Sequence, residues 1–193
     1  MRKLIVSTSN MGKLREIQKY LASLPWQLQL KPKELEIEET GATFMENACL
    51  KASLVAKATG EWAIADDSGL MVDALDGAPG LYSARYGKTD KERIERLLRE
   101  LGETENRKAQ FICAVAIARS DGSIALQIEG ICHGEITHQE RGEGGFGYDP
   151  IFYVPTQQQT FAEMKPELKS KLSHRGKAFE KLIPQLRSLA AIG

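Results

Sequence analysis

The chain has 193 residues and balances 26 Lys+Arg against 26 Asp+Glu, so no net field recruits nucleic acid or an acidic membrane surface. Hydrophobic residues at 42% with 27% charged are ordinary for a soluble globular chain able to bury a sizeable core. No apolar stretch approaches membrane-spanning length, and the start Met1-Arg2-Lys3-Leu4-Ile5-Val6 is too short for a signal peptide. Cys49, Cys113 and Cys132 lie in apolar segments and form no Cys-x-x-Cys pair, which together lead us to expect a reduced, cytoplasmic protein.

Leu4–Val6 predicts a buried strand ending at Ser7-Thr8-Ser9-Asn10, followed by a helix with Leu14, Ile17, Leu21 and Leu24 on one stripe. Leu28 and Leu30 alternate with glutamines, as in a second strand. Thr43-Phe44-Met45-Glu46 is a capping box that opens a helix to about Thr59, with Phe44, Ala48, Ala52 and Val55 on its buried face. Ala63–Ala65 reads as a short buried strand breaking off into the glycine turn Asp66-Asp67-Ser68-Gly69, which delivers two carboxylates to the rim of a sheet. The segment Leu70–Gly87, punctuated by Gly77-Ala78-Pro79-Gly80, reads as a loop with a short strand. A second capping box, Thr89-Asp90-Lys91-Glu92, starts a helix carrying Ile94, Leu97, Leu98 and Leu101. Ala109–Ala118 is apolar on both parities, hence a central strand, and Ser120-Asp121-Gly122-Ser123 turns it onto Ile124–Ile128. Gly142, Gly144, Gly145 and Gly147 flank Phe146 ahead of a strand Ile151–Val154. The last helix holds Phe179, Leu182, Ile183, Leu186 and Leu189. With no internal repeat or linker, residues 1–193 read as a single α/β domain around a mixed sheet.

Four constellations can carry chemistry. Thr8-Ser9-Asn10-Met11-Gly12-Lys13 sits where a strand enters a helix, and unpaired amides with a partial positive charge suit a phosphate there. The spacing is neither a Walker loop nor Gly-x-Gly-x-x-Gly, and a plain polar cap followed by a surface lysine is the competing account. Glu38-Glu39-Thr40-Gly41 precedes the Thr43 helix, whose Asn47 and Lys51 share a face; a glutamate could complete an oxygen shell with the aspartates while Lys51 faces a polyphosphate. Glutamates also simply favour a helix dipole at that end. Gly144-Gly145-Phe146-Gly147-Tyr148-Asp149-Pro150 frees backbone to approach a flat ligand, which Phe146 can cover and Asp149 can bond. Lys169 precedes Ser173-His174-Arg175-Gly176, where two cations enter a helix start and can donate to the O6 of a 6-keto purine. Adenine would meet those donors with hydrogens of its own. Arg85 is a candidate phosphate or subunit contact, and His133 and His138 read as structural or exposed.

In this order the motifs resemble those of the inosine triphosphate pyrophosphatase family, the non-standard purine NTP pyrophosphatases. The resemblance rests on Thr8-x-Asn10-x-x-Lys13, Glu38-Glu39-Thr40-Gly41, Glu46-Asn47-Ala48-x-x-Lys51-Ala52, Ala65-Asp66-Asp67-Ser68-Gly69, Gly77-Ala78-Pro79-Gly80, Phe146-Gly147-Tyr148-Asp149-Pro150 and Ser173-His174-Arg175, and runs from Leu4 to about Leu186. It implies an elongated α/β subunit with a central mixed sheet flanked by helices, two lobes with a nucleotide cleft between them, and a homodimer. It also implies Mg²⁺-dependent hydrolysis of ITP, dITP and XTP to the monophosphate and pyrophosphate. Carried over, Thr8, Ser9, Asn10, Met11, Gly12 and Lys13 hold the triphosphate, joined by Lys51, and Asp67 is the general base. Ser68, Phe146, Gly147, Tyr148, Asp149, Lys169, His174 and Arg175 contact the nucleotide, and Mg²⁺ sits between Asp67 and Glu38 or Glu39. Asp66 is left as a supporting carboxylate. No nucleic-acid or membrane partner is implied.

Three rivals keep part of this chemistry. A pyrophosphatase for pyrimidine or ordinary nucleotides changes only the substrate, and a nucleotide sensor would bind without turnover. Clustered carboxylates beside a polyphosphate favour catalysis over sensing. An aspartyl-nucleophile phosphatase would need the Asp-x-Asp arrangement that Asp66-Asp67-Ser68 lacks.

Overall fold

A computed structural model describes residues 2–191. Strand β1 (Arg2–Ser7) leads into helix α1 (Met11–Leu21), and β2 (Trp26–Leu30) returns beside β1 in parallel, Leu4 opposite Leu28. Helix α2 (Phe44–Thr59) starts at the Thr43 cap, whose side chain accepts from the Glu46 amide, and ends on Gly60 in the left-handed conformation at φ 67°. Strand β3 (Trp62–Val72) pairs with the other side of β1, also in parallel. Helix α3 (Asp90–Leu101), strands β4 (Lys108–Ala118) and β5 (Ile124–Ile136), the short strands β6 (Phe152–Val154) and β7 (Gln159–Thr160), and helices α4 (Pro166–Leu172) and α5 (His174–Ala191) complete the chain. The sheet is seven-stranded in the order β2-β1-β3-β4-β5-β6-β7, with β6 antiparallel to both β5 and β7. The expected mixed sheet flanked by helices is thus present. No helix among the described residues is long and apolar enough to cross a membrane.

The chain divides into two compact units, each assembled from separated segments. One takes the chain up to Asp67, then Cys113–Gly130, then from Arg175 onward. Here Leu4, Val6, Ile64, Cys113, Val115 and Ile117 bury one sheet face under Leu14, Ile17 and Leu21 of α1 and Phe179, Leu182 and Leu186 of α5. Tyr20 stacks on Phe179 with ring centroids 4.8 Å apart. Helix α2 lies on β1 with an alanine-rich face of Ala48, Ala52 and Ala56, small side chains that let a helix approach closely. The other unit takes Ser68–Ile112 and Ile131–His174. Its core joins Leu70 and Val72 of β3, Ile94, Leu97 and Leu101 of α3, Phe111 of β4, and Phe152, Phe161 and Met164.

Three expectations change. The apolar run at Ala63 does not stop at a glycine turn: β3 is an 11-residue strand that carries Asp66, Asp67, Ser68 and Gly69 in its interior. A strand tolerates two carboxylates there because each finds a partner, as described below. The segment Leu70–Gly87, expected as a loop with a short strand, does begin in a strand, the end of β3, and continues not as plain loop but through two 3-10 turns, Asp73–Leu75 and Gly80–Arg85. The second arm of the hairpin runs on to Ile136, with Gly130 and Cys132 buried within it, and the sequence reading passed over α4 and β7. His133 and His138 are exposed.

Candidate active site

Asp66 and Asp67 are 2% and 7% exposed, and alternation along β3 sends them to opposite faces. Asp66 Oδ2 meets Lys13 Nζ at 3.1 Å and accepts from Arg175 Nη2 at 3.0 Å, while Arg175 Nη1 donates to Glu16 Oε2 at 2.6 Å. Burial works to raise the Asp66 pKa, but Lys13, Arg175 and Lys51 outweigh it and hold the carboxyl well below its ordinary value. The same carboxylates raise the Arg175 pKa against its own burial. Asp66 is therefore a fixed negative charge inside a cationic cluster.

Asp67 behaves oppositely. Burial lifts its pKa above the ordinary value, Lys51 opposes the rise, and the Glu39 charge adds to it. Asn47, buried on α2, donates from Nδ2 to Asp67 Oδ2 at 3.0 Å and accepts at Oδ1 from the Gly41 amide at 2.7 Å. One amide side chain thereby ties the aspartate to the Glu38-Glu39-Thr40-Gly41 segment. A Cβ on Gly41 would come within 2.7 Å of both Asn47 Oδ1 and Glu46 Cβ, so this approach needs glycine. Lys51 Nζ bonds Glu39 Oε1 at 2.6 Å and stands 3.9 Å from Asp67 Oδ1. Its pKa is raised: burial works to lower it, but Asp66, Asp67 and Glu39 prevail. Of the two glutamates left open by the sequence, Glu39 joins this cluster and Glu38 is exposed.

Thr8 to Lys13 form the entry to α1 as expected, but part of their polar capacity is spent locally. Asn10 Oδ1 caps the helix, accepting from the Gly12 and Lys13 amides at 2.9 and 3.1 Å, and Thr8 Oγ1 accepts from the Asn10 amide at 3.1 Å. Ser9 and Met11 are exposed, and Gly12 is half-buried. The ammonium of Lys13 is directed at Asp66.

The remaining candidates gather in the second unit. Lys169 of α4, 8% exposed, bonds Asp149 Oδ2 at 2.6 Å and lies 4.8 Å over the Phe146 ring. The same Asp149 oxygen accepts from the Phe146 amide at 2.9 Å, and a Cβ on Gly145 would collide with that carboxylate. Asp90 at the start of α3 accepts from the Gly147 amide at 2.8 Å, which pins the other side of the loop. Tyr148 is a core residue whose hydroxyl donates to the Ser83 carbonyl at 2.8 Å, and Ser68 is half-buried on β3. His174 opens α5, where its imidazole stacks on Phe111 at 4.6 Å and 11°. The adjacent pair His174-Arg175 thus parts: His174 turns to this aromatic cluster, and Arg175 to the carboxylates of the first unit. Sequence reading missed Glu16, Phe111, Asp90 and the bridging contacts of Asn47. Glu16 had a signal, three residues after Lys13 on the same helix face, whereas the others depend on pairings across the fold.

A hard cation suits the Asp67–Glu39 pair. Both are oxygen donors, and positive charge there relieves the repulsion by which Glu39 raises the Asp67 pKa. No group of three or more His, Cys, Asp or Glu among the described residues could hold an ion alone. Magnesium fits such a sparse set, since it keeps waters and takes phosphate oxygens from a substrate.

The comparisons agree with the motifs. The model of the Ham1 family matches residues 4–185. A dITP/XTP pyrophosphatase of Nostoc sp. is 71% identical over 186 residues, 96% of this chain and 95% of that protein. One from Synechocystis sp. is 67% identical over 182 residues, covering 94% of each. Among solved structures, a HAM1 protein from Coxiella burnetii superposes with a TM-score of 0.90 at 43% identity, covering 97% of this chain and 100% of that one. Both the sequence and the fold therefore lead to one assignment: the chain belongs to the Ham1 family.

Proposed function

We propose that this protein hydrolyses dITP, XTP and ITP to the monophosphate and pyrophosphate in a Mg²⁺-dependent reaction, cleansing the nucleotide pool. The observation that carries the reading is the division of the aspartate pair: Asp66 locked in ion pairs with Lys13 and Arg175, Asp67 buried and held by Asn47 beside Lys51. The dITP/XTP pyrophosphatases of Nostoc and Synechocystis supply the substrate class.

Charge neutralisation falls to Lys13 and Lys51, with the α1 N-terminus and its Thr8–Lys13 approach receiving the polyphosphate. Asp67 and Glu39 would hold the magnesium, which when bound neutralises phosphate charge and orients the phosphates. Asp67 accepts a proton from the attacking water as its oxygen bonds to the α-phosphorus. The α–β anhydride bond breaks, and pyrophosphate leaves with the bonding electron pair. Asn47 fixes the Asp67 carboxylate for that transfer. Base recognition falls to Ser68, Phe146 to Asp149, Lys169 and His174: a phenyl face, a carboxylate and cationic donors suit a keto purine. Arg175 serves the site through Asp66, and its base contact is part of the same proposal. The protein works as a homodimer in the cytoplasm, a setting supported by the reduced state of Cys49, Cys113 and Cys132.

The test is turnover of dITP, XTP, ITP, GTP, ATP and dUTP with and without Mg²⁺, following pyrophosphate against orthophosphate. Pyrophosphate from the first three, with Mg²⁺ required, is expected. Orthophosphate as product, or equal rates on ATP and ITP, overturns the proposal.

A further inference from the structure

We propose that Phe111 is a positioning residue for base selection, holding the His174 imidazole in one plane so that its edge N–H meets the 6-keto oxygen. This rests on the role of His174 in base recognition proposed above. Phe111 is 7% exposed on β4 and His174 6% exposed at the start of α5, so the pair is buried on two elements distant in sequence. Their ring centroids are 4.6 Å apart and their planes within 11°. Phe161 lies nearly parallel to both, 5.9 Å and 14° from Phe111, 6.4 Å and 21° from His174. Phe152 braces these two phenyl rings at 4.6 and 4.9 Å in tilted geometry.

An imidazole turns about two side-chain bonds, and its N–H lies in the ring plane. A flat neighbour in van der Waals contact blocks rotation about the second bond and so fixes the donor direction. Hydrogen bonds weaken steeply once the donor angle closes toward about 120°. Discrimination between a keto and an amino group is therefore sensitive to that plane. A core position needing only bulk would be served as well by leucine; the parallel geometry uses the aryl face. Phe161 also underlies Lys169, whose Nζ is 5.9 Å from its centroid, so one aromatic floor carries two of the proposed base-site side chains.

The test measures kcat/KM on dITP and dATP for wild type, Phe111→Leu, His174→Ala and the double variant, with thermal unfolding of each. Phe111→Leu is expected to lower the dITP-over-dATP preference about 3- to 10-fold, the range of a lost aromatic pair, and to add little once His174 is gone. A preference unchanged by Phe111→Leu but collapsed by His174→Ala overturns the positioning role and leaves the base site standing. A preference unchanged by His174→Ala removes that residue from base recognition, and the inference with it. Independent, multiplicative losses in the double variant also overturn it. Should Phe111→Leu fail to fold, proton NMR of the unaltered protein decides: the His174 ring protons, assigned by their loss in His174→Ala, are expected upfield of those of His133 and His138. Coincident shifts for all three refute the stack in solution.

Discussion

Replacing Asp66 with Asn removes the charge that Lys13 and Arg175 share. The carboxylate is 2% exposed, and so is Arg175, so the lost attraction is a buried one. Breaking a buried, hydrogen-bonded pair by removing one partner costs about 3–5 kcal/mol. Glu16 still holds Arg175 Nη1 at 2.6 Å, which places the expected loss at the low end, about 3 kcal/mol. For a domain of this size that corresponds to a fall in Tm of about 6–12 °C, read by calorimetry or by urea unfolding. Asp67→Asn is the contrast, because burial already disfavours its charge and Asn can still accept from Asn47; its Tm should hold or rise slightly. The acid limb separates the two further. The folded pKa of Asp66 is depressed, so its contribution is complete above the unfolded value near 3.8 and is lost as pH falls through the folded value. Wild-type stability should thus fall more steeply with acid than that of Asp66→Asn. Equal midpoints for wild type and Asp66→Asn, with parallel acid limbs, would refute the ion-pair account of this residue.

Other consequences follow from the same geometry. Asp67→Asn should lower kcat about 10²–10⁴-fold while nucleotide binding persists, and near wild-type turnover removes it as base. In the metal-free protein the Asp67 carboxyl should titrate above 3.8, the direction in which burial moves it, as read by carbon NMR with Asp67→Asn as the assignment control. Gly41→Ala must displace Asn47 or Glu46, both 2.7 Å from the added methyl, and should cost about 1–3 kcal/mol in urea unfolding together with activity. Arg107 donates to the carbonyls of Ile136, Gly102 and Thr137 at 2.6, 3.0 and 3.0 Å, so Arg107→Met should lose about 3 kcal/mol by the same measurement without touching the site. Leu182→Ala, fully buried between α5 and the sheet, should cost about 2–5 kcal/mol.

Both capping boxes were legible because a cap is local: Thr43 and Thr89 reach an amide three residues on, whatever the rest of the chain does. The apolar stripes of α1 and α5 and the two-sided apolar run of β4 were legible for a similar reason, since burial imposes its own period on the sequence. The turn expected at Asp66-Asp67-Ser68-Gly69 was not, because charge and glycine are turn signals only while their partners are out of view. Lys13 and Arg175 lie 53 and 109 positions away from Asp66, and it is they that let β3 continue. Helix α4 was overlooked because it has seven residues, too few to display a period.

The aspartate pair shows where these two sources of information divide. Residue types and motif order in the chain are enough to reach the family and the kind of chemistry, and to nominate side chains for it. By residue type alone Asp66 and Asp67 are equivalent, and only the family resemblance singles out Asp67, because adjacent identical residues differ physically only in what the fold sets beside them. Tertiary structure separates them: opposite faces of one strand, Lys13 and Arg175 against one carboxylate, Asn47, Lys51 and Glu39 against the other. It also pairs Glu39 with Lys51 while Glu38 stays exposed, and sets Phe111 against His174. Electrostatics and stacking act over a few ångströms through space, and only the folded chain decides which residues come that close.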